Sequence, residues 1–463
     1  MTRAAAHASG GPAAIFPGKP GRAPHDARMN EAPVPAAAPE LRDFSDRLPP
    51  VLVKELRQGL RTRMFVISFL VLHGLLVIGS VEGGSGSGFF WTCLCIMLVA
   101  VLPLRNTSAL SEERQANTLD TLLLTQLTPW RIVWGKWSAT VALVLLTAVS
   151  ALPYLLVRYL KGGSNIVQEA AVLGGVVLIS GALTAVLTGL STLTTGVARH
   201  LSGVVLIFAA YTLGCRPLLR TMEYGIVSPD IAATMLTVTL WATFFSLSHA
   251  AAALAPAAMN LTTSRRLTTL AAIGLVTAIC VFMTPPDGRS ASDALLLILM
   301  VSCMVEMGDQ SSRHPCVGAS FARHGALGKL AALFLHPGWA SGVLFCAALW
   351  LGSFVVLRLD LSRAVVANFA ALCFFPVCAG APLLSRGRSG TVVMLLGVAL
   401  AHLFWILAKV PPEGEFIARV LPSLDRRHDF PLSAALVWVG LALAIAIVPL
   451  AALLRRISRE SNL

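Results

Sequence analysis

The sequence predicts an all-α, polytopic membrane protein with about 12 transmembrane helices and an N-terminal interfacial helix. Only 13% of its 463 residues are charged and 56% are hydrophobic, whereas soluble domains carry about 25% charged residues. The apolar residues fall in runs that approach the length of about 20 residues needed to cross a bilayer. Lys and Arg are concentrated in alternate connections between these runs, as expected for cytoplasmic loops.

The first segment, residues 1–48, is rich in Ala, Pro and Gly and has no apolar period. Such a composition is typical of disorder, and we expect a disordered cytoplasmic tail. A signal peptide is not expected, because no apolar core of about 7–15 residues follows the first charges. Both Met1 and Met29 are candidate translation starts.

The stretch LPPVLVKELRQGLRTR leads into the first apolar run. Its double proline suits the start of a separate helix. Leucines recur at every fourth residue, and the basic residues lie off that stripe. We therefore predict a helix in the cytoplasmic membrane interface, with Arg57 and Arg61 at anionic head groups. The alternative is a simple cytoplasmic extension of the first span.

Twelve apolar runs approach span length, of which the fifth and eighth are short. The runs cover residues 64–80, 89–105, 137–157, 170–195, 201–215, 231–257, 267–284, 293–308, 331–357, 364–384, 391–409 and 432–454. We divide them into a core of six spans at 49–260 and a second six-span domain at 261–463, whose role the sequence does not indicate.

The distribution of basic residues predicts the orientation of these spans. With both termini in the cytoplasm, the cytoplasmic segments hold 25 of the 36 Lys and Arg residues. This bias fits the positive-inside rule and an even number of spans. It indicates a multi-pass protein of the cell (inner) membrane.

A polar segment between the second and third runs, EERQANTLDTLLLTQLTPWRIVWGK, starts at Glu112. Ser111 suits an N-cap, and Glu112 and Glu113 would complement the helix dipole. Leu119 and Leu123 then continue an amphipathic stripe that is too short and polar to span. The simplest interpretation is a helical connector that packs its leucines on the bundle.

The same segment ends in a second helix start. Thr128 suits an N-cap and Pro129 the first helical position. Trp130, Trp134 and Trp137 follow at spacings of four and three, so they share one face. We expect this face to lie at the membrane interface, together with Lys136, which can extend toward the head groups.

This segment resembles the one found in permease subunits of type-2 ABC transporters, the ATP-binding-cassette exporters. The matching features are Glu112, Glu113 and Arg114, then Thr118-Leu119, a Leu/Thr run at 122–125, Pro129 and Gly135-Lys136. LVKELRQGLRTRMF, with Lys54-Glu55-Leu56, resembles the N-terminal segment of that family. The resemblance covers about residues 49–257. Asn117 stands where the family usually has Gly or a small residue, and the family core has six spans rather than twelve.

The resemblance implies a permease dimer that moves a substrate by using a separate ATPase. It also implies that Glu112, Glu113, Arg114, Leu119, Leu123 and Pro129 contact that ATPase. The chain contains no G-x-x-x-x-G-K-[ST] phosphate loop. We therefore expect no cofactor in this chain, with ATP bound by the partner subunit, and no ATPase site of its own. Membrane lipids are the other expected partner, and nucleic acid is not one.

Two other function classes stay open. One is a membrane-embedded enzyme acting on lipid-linked substrates, for which the loops 425–429 (DRRHD) and 311–315 (SSRHP) are the nearest candidates. The other is a membrane scaffold without transport.

The scarcity of acidic residues within the spans disfavours an ion-coupled carrier. His73, His249, His336 and His402 are expected to be neutral and bonded to a neighbouring helix. We expect no catalytic residues and no metal site.

We predict that topology reporters inserted after Gly84, Pro129, Arg266 and Arg388 report outside, inside, inside and inside. The reason is that both termini and the basic connections are expected in the cytoplasm. Alkaline phosphatase and green fluorescent protein fusions measure this directly. An external position 266 would contradict the orientation of the first half.

Overall fold

The computed structural model describes residues 50–81, 87–111, 128–162, 165–192, 196–216, 218–220, 229–256, 259–282, 289–309, 315–357, 374, 377–378 and 432–460. Across these ranges the chain is helical and contains no strand. The predicted disordered tail, residues 1–48, lies outside them.

Thirteen labelled helices follow one another within the described ranges. They are α1 (Pro50–Arg61), α2 (Arg63–Val81), α3 (Ser87–Cys95), α4 (Pro129–Leu160), α5 (Ile166–Leu190), α6 (Gly196–Ala210), α7 (Pro229–Leu254), α8 (Thr262–Phe282), α9 (Arg289–Met307), α10 (Pro315–Ala322), α11 (Gly325–Leu335), α12 (Trp339–Leu357) and α13 (Leu432–Glu460). Helix α3 continues through a π-helical turn at Ile96–Val101, and α6 through another at Tyr211–Cys215.

Six helices among the described residues are long and apolar enough to cross a membrane. They cover Arg63–Ser80, Gly88–Ser111, Pro129–Leu160, Ile166–Leu190, Pro229–Leu254 and Val439–Arg459. The count of about 12 is therefore not confirmed. The fifth and eighth predicted spans correspond to shorter apolar helices at Arg199–Ala210 and Leu297–Met307. The predicted spans at 364–384 and 391–409 lie almost wholly outside the described residues.

The ninth predicted span is not one straight helix. Helices α11 and α12 meet at a bend of 88° between Leu335 and Trp339, so they form either a broken span or a re-entrant segment. Counting this pair as one crossing raises the number of candidate spans to seven. The apolar run 331–357 predicted a single span because hydropathy alone does not detect a break that is built from Pro337 and Gly338.

Helices α2 to α5 surround the first hydrophobic core. Helix α4 illustrates the pattern, because Val144, Ala148 and Ala151 are buried while Val149 and Leu152 are exposed. A helix that is apolar on all sides, with leucine and valine on its outer face, suits a hydrocarbon solvent better than water. The pattern supports a multi-pass membrane protein.

The π-helical turn that follows α3 is held by a contact from α5. A π-turn inserts an extra residue into the helix and leaves a backbone carbonyl without its usual partner. The hydroxyl of Ser180 on α5, which is fully buried, donates a hydrogen bond to the carbonyl oxygen of Leu98. A small polar side chain therefore satisfies a backbone group that lipid could not satisfy.

Helix α7 belongs to two hydrophobic clusters. Trp241 and Phe245 pack with residues of α8, α9, α12 and α13. Leu247 and Ala251, further along α7, pack with Leu110 and with Val133 of α4. The two predicted membrane domains, 49–260 and 261–463, therefore meet along α7.

The first turn of α12 passes very close to the last turn of α9. A Cβ atom placed on Gly342 would lie 2.1 Å from the carbonyl oxygen of Glu306, which no side chain can tolerate without movement of one helix. Gly352, further along α12, has nothing within 4 Å of such an atom. Only the first of these two glycines is needed for packing.

We predict that Gly342→Ala destabilises the protein by about 1–3 kcal/mol, because the added methyl group separates α9 from α12. Gly352→Ala is the matched control and is expected to be neutral or slightly stabilising, since alanine favours the helix. Thermal unfolding of both variants in detergent measures the difference. Equal melting temperatures would contradict the close approach.

Candidate functional site

The residues that carry the family resemblance lie around the start of α4. Helix α4 begins at Pro129, with Thr128 as its N-cap, and the Thr128 hydroxyl accepts a hydrogen bond from the backbone N–H of Arg131 at 3.4 Å. The predicted cap and helix start are therefore confirmed. Glu112, Glu113, Arg114, Leu119 and Leu123, the other predicted docking residues, lie outside the described residues.

Helix α1 packs against this first part of α4. The contact depends on Gly135, because a Cβ atom there would lie 2.8 Å from Val51. Gly59 of α1 also permits a close contact, since a Cβ atom placed there would lie 2.9 Å from Leu143 of α4. Two glycines, one on each helix, let the backbones approach closely.

An ion pair closes the α1–α4 contact. The Lys136 ammonium donates a hydrogen bond to Oε1 of Glu55 at 2.9 Å, and the two side chains are 8% and 22% exposed. We expected Lys136 to extend toward the lipid head groups. It is instead buried against α1, because Glu55 supplies a nearer and better partner than water.

Two of the three tryptophans on α4 contact other helices, and the third is exposed. The Trp137 indole donates a hydrogen bond to the carbonyl of Gly181 on α5 at 2.9 Å, and Trp130 packs on Phe244 of α7 at 5.3 Å between ring centroids. Trp134 lies between them and is 42% exposed. Trp130 and Trp137 are half-buried, and the interfacial position of the three rings stays a prediction.

The exposed basic residues of α1 point away from the α4 contact. Arg57 and Arg61 are both exposed, which is compatible with head-group contacts, and the interfacial position of α1 stays a prediction. Arg105, in the last part of the second candidate span (Gly88–Ser111), donates a hydrogen bond to the Thr62 hydroxyl at 3.3 Å. This bond connects the end of α1 to the chain that leads toward residue 112.

A small polar network joins three helical segments behind this junction. Asn106 is 4% exposed and donates to the Thr188 hydroxyl on α5 at 3.0 Å. It also accepts a hydrogen bond from the Thr140 hydroxyl on α4 at 2.7 Å. Buried hydrogen-bonded amides of this kind specify one arrangement of neighbouring helices.

A second and larger polar cluster lies between α8, α9 and the bend of α11–α12. We call Arg265, Arg266, Glu306 and Asp309 the ion-pair cluster. Arg265 Nε and Arg266 Nε each donate to one oxygen of Glu306, the second at 2.8 Å, and Arg265 also donates to Asp309 at 3.1 Å. The Arg266 and Glu306 side chains are completely buried.

Arg266 also holds the bend. Its guanidinium donates to the backbone carbonyls of Phe334 at 2.6 Å, His336 at 3.0 Å and Gly338 at 3.3 Å, and to the Ser341 hydroxyl at 3.1 Å. Phe334 and His336 lie at the end of α11, where backbone carbonyls lack helical partners, and the Gly338 carbonyl also accepts the backbone N–H of Gly342 at 3.0 Å. One side chain of α8 thus contributes hydrogen bonds to the broken backbone between α11 and α12.

Sequence reasoning missed this cluster. It assigned Arg265 and Arg266 to a basic cytoplasmic connection and Glu306 and Asp309 to the end of a span. The available signal was the balance of two arginines at the start of one apolar run with two carboxylates at the end of the next. Such charges are stable in an apolar environment when they are paired.

Two of the predicted bundle histidines make polar contacts in the structure. His73 Nδ1 is 2.8 Å from the carbonyl of Phe69, in its own helix, and His336 Nδ1 is 2.7 Å from the carbonyl of Pro337. These contacts are local rather than to a neighbouring helix. His402 and both candidate enzyme loops, except the helix start at Pro315, lie outside the described residues.

In the part of the chain that the structure describes, His, Cys, Asp and Glu form no group of three or more that could hold a metal ion. The sequence matches no family model, no curated protein and no solved structure.

We predict that Glu306→Gln lowers the unfolding free energy by about 3–5 kcal/mol, because it leaves two buried arginines with one carboxylate. Asp309→Asn is expected to cost less, since Arg265 keeps Glu306. Arg63→Gln, at an exposed position, is the control. Thermal or denaturant unfolding in detergent measures the order, and a Glu306 variant as stable as the control would contradict the buried pairing.

Proposed function

We propose that this chain is the membrane-spanning permease subunit of an ATP-binding-cassette exporter, which moves an unidentified substrate by using a separate ATPase subunit. The observation that carries the proposal is the Lys136–Glu55 ion pair. It joins the two segments, 81 residues apart in sequence, that resemble the permease family.

The contact between these segments makes them one mechanical unit. Gly135 and Lys136 meet Val51 and Glu55 through close backbone approach and an ion pair, so α1 and α4 move together. A partner that displaces one of these helices therefore displaces the other. This coupling is what an ATPase needs in order to transmit a movement into the spans.

The proposed ATPase-contacting segment, residues 112–128, is flanked by buried residues. Leu110, just before it, and Val133, just after it, are both buried in one cluster with Leu247 of α7. Because both ends of the segment are anchored in the same core, a push on the segment reaches the spans through short, packed connections.

The sequence supports a separate source of ATP binding. Of its two Gly-Lys pairs outside the α4 motif, Gly18-Lys19 precedes a proline and Gly328-Lys329 precedes Leu330. Gly328 lies within helix α11, where its backbone passes close to the carbonyl oxygen of Phe321. Neither pair has the spacing of a phosphate loop.

The mechanism follows from these parts. The ATPase would bind residues 112–128, with Glu112, Glu113 and Arg114 as polar contacts and Leu119 and Leu123 as the apolar stripe. Its conformational change would move α1 and α4 as a pair against α5 and α7. The proposal includes a permease dimer in the cell (inner) membrane, with both termini in the cytoplasm.

We predict that Glu55→Lys and Lys136→Glu each reduce the amount of ATP-binding subunit that co-purifies with the tagged protein from its native membrane. The double variant restores the pair with reversed charges and is expected to recover co-purification in part. Labelling the eluate with 8-azido-ATP detects an ATP-binding partner whatever its sequence. Lys54→Glu, at an exposed position of the same helix, is the control.

A second arm tests the contacting segment itself. Reversal of Glu112 and Glu113 to lysine should weaken co-purification more at low salt than at high salt, because exposed charge contacts are screened. Unchanged co-purification and ATP hydrolysis in every variant, with the protein well folded, would leave α1–α4 as a structural contact only. Saturable ATP binding by the purified chain would exclude the separate-ATPase arrangement.

A further inference from the structure

Helix α11 leaves the bundle at nearly a right angle. The bend between α11 and α12 is 88°, and α12 packs along α13, one of the six candidate spans. If α12 follows α13 through the bilayer, then α11 lies nearly parallel to the membrane plane. Arg266 holds this bend by hydrogen bonds to the carbonyls of Phe334, His336 and Gly338.

Contacts with α13 bring α11 to the end of a candidate span. Lys329 of α11 donates a hydrogen bond to the Ser458 hydroxyl at 3.2 Å, and Ala332 packs with Ile457. Ser458 and Ile457 lie in the last turn of α13, at the end of its candidate span. Helix α11 therefore lies across the end of a span.

Among the residues that the structure describes, the outer face of α11 is apolar and exposed. Leu327 is 78% exposed and Leu330 is 56% exposed. They are three residues apart and so share one side of the helix. Gly328 and Ala332 occupy the opposite, buried side. An in-plane helix with an apolar outer face is the arrangement by which amphipathic helices rest in a bilayer interface.

Exposed basic side chains lie on the elements next to this helix. Arg455, Arg456 and Arg459 are exposed in the last two turns of α13, and Arg323 is exposed in the turn before α11. The carboxylates of Glu306 and Asp309, which lie near the same end, are already paired within the ion-pair cluster. The surroundings of α11 are therefore positively charged, which suits an anionic phospholipid surface.

We propose that α11 and the last turns of α13 form a binding surface for anionic phospholipid. Leu327 and Leu330 insert among the acyl chains, while Arg323, Arg455, Arg456 and Arg459 contact the phosphate groups. The ion-pair cluster, by fixing the bend, sets the angle at which α11 meets the membrane. This assignment does not rest on the proposed transport function.

Photocrosslinking tests where α11 lies. With p-benzoylphenylalanine at position 327, irradiation in native membranes should attach one phospholipid, which mass spectrometry of the purified protein detects. The same group at Leu201, a 65% exposed residue on the apolar helix α6, serves as the positive control. Crosslinking at position 327 to another protein or to a second copy of this chain would overturn the proposal, and so would no crosslink where Leu201 gives one.

Lipid selectivity tests the basic residues. The protein in nanodiscs of equal phosphatidylglycerol and phosphatidylcholine should retain phosphatidylglycerol preferentially in native mass spectrometry. Replacing Arg455, Arg456 and Arg459 by Gln should reduce that preference by about twofold to fivefold per residue removed. Arg216→Gln with Arg220→Gln, at exposed positions beyond α6, is the matched control. Equal loss in both variants, or no loss in the triple variant, would overturn the assignment.

Discussion

Two arginines and two carboxylates are buried together among apolar helices. The surrounding helices hold the arginines next to the carboxylates. An isolated charge in such a place would cost many kcal/mol. Arg265, Arg266, Glu306 and Asp309 avoid that cost only when α8, α9 and the α11–α12 bend come together. These helices pack so closely that no side chain fits at Gly342.

The cluster also connects the two halves of the chain. The Arg265 guanidinium lies 5.7 Å from the centroid of the Phe245 ring on α7, and that of Arg266 lies 5.4 Å from the Phe345 ring on α12. Cation–π contacts of this kind are strengthened where water is excluded. Helix α7 also packs on α4. Direct contacts therefore connect the ion-pair cluster to the first bundle, formed by helices α2 to α5.

The first bundle uses its few buried charges in the same way. Lys136 and Glu55 join α1 to α4, and Arg158 and Glu169 join the end of α4 to the start of α5 at 3.0 Å. The first pair lies in the N-terminal part of α4 and the second at its C-terminal end. Helix α4 is thereby held at both ends, so its movement under an external force would involve α1 and α5 as well.

The sequence alone indicated the class of the protein and the residues at which individual helices begin and end. Low charge and long apolar runs require a lipid-facing helical bundle, and Thr128-Pro129 specifies where α4 begins, because cap and proline act within one turn. Only the packed structure shows the partners of Lys136 and Arg266. These partners are distant in sequence, and a hydropathy scale treats each cation as a surface charge. The bend at Pro337 and Gly338 was likewise hidden within an apolar run, since Arg266 from another helix stabilises it.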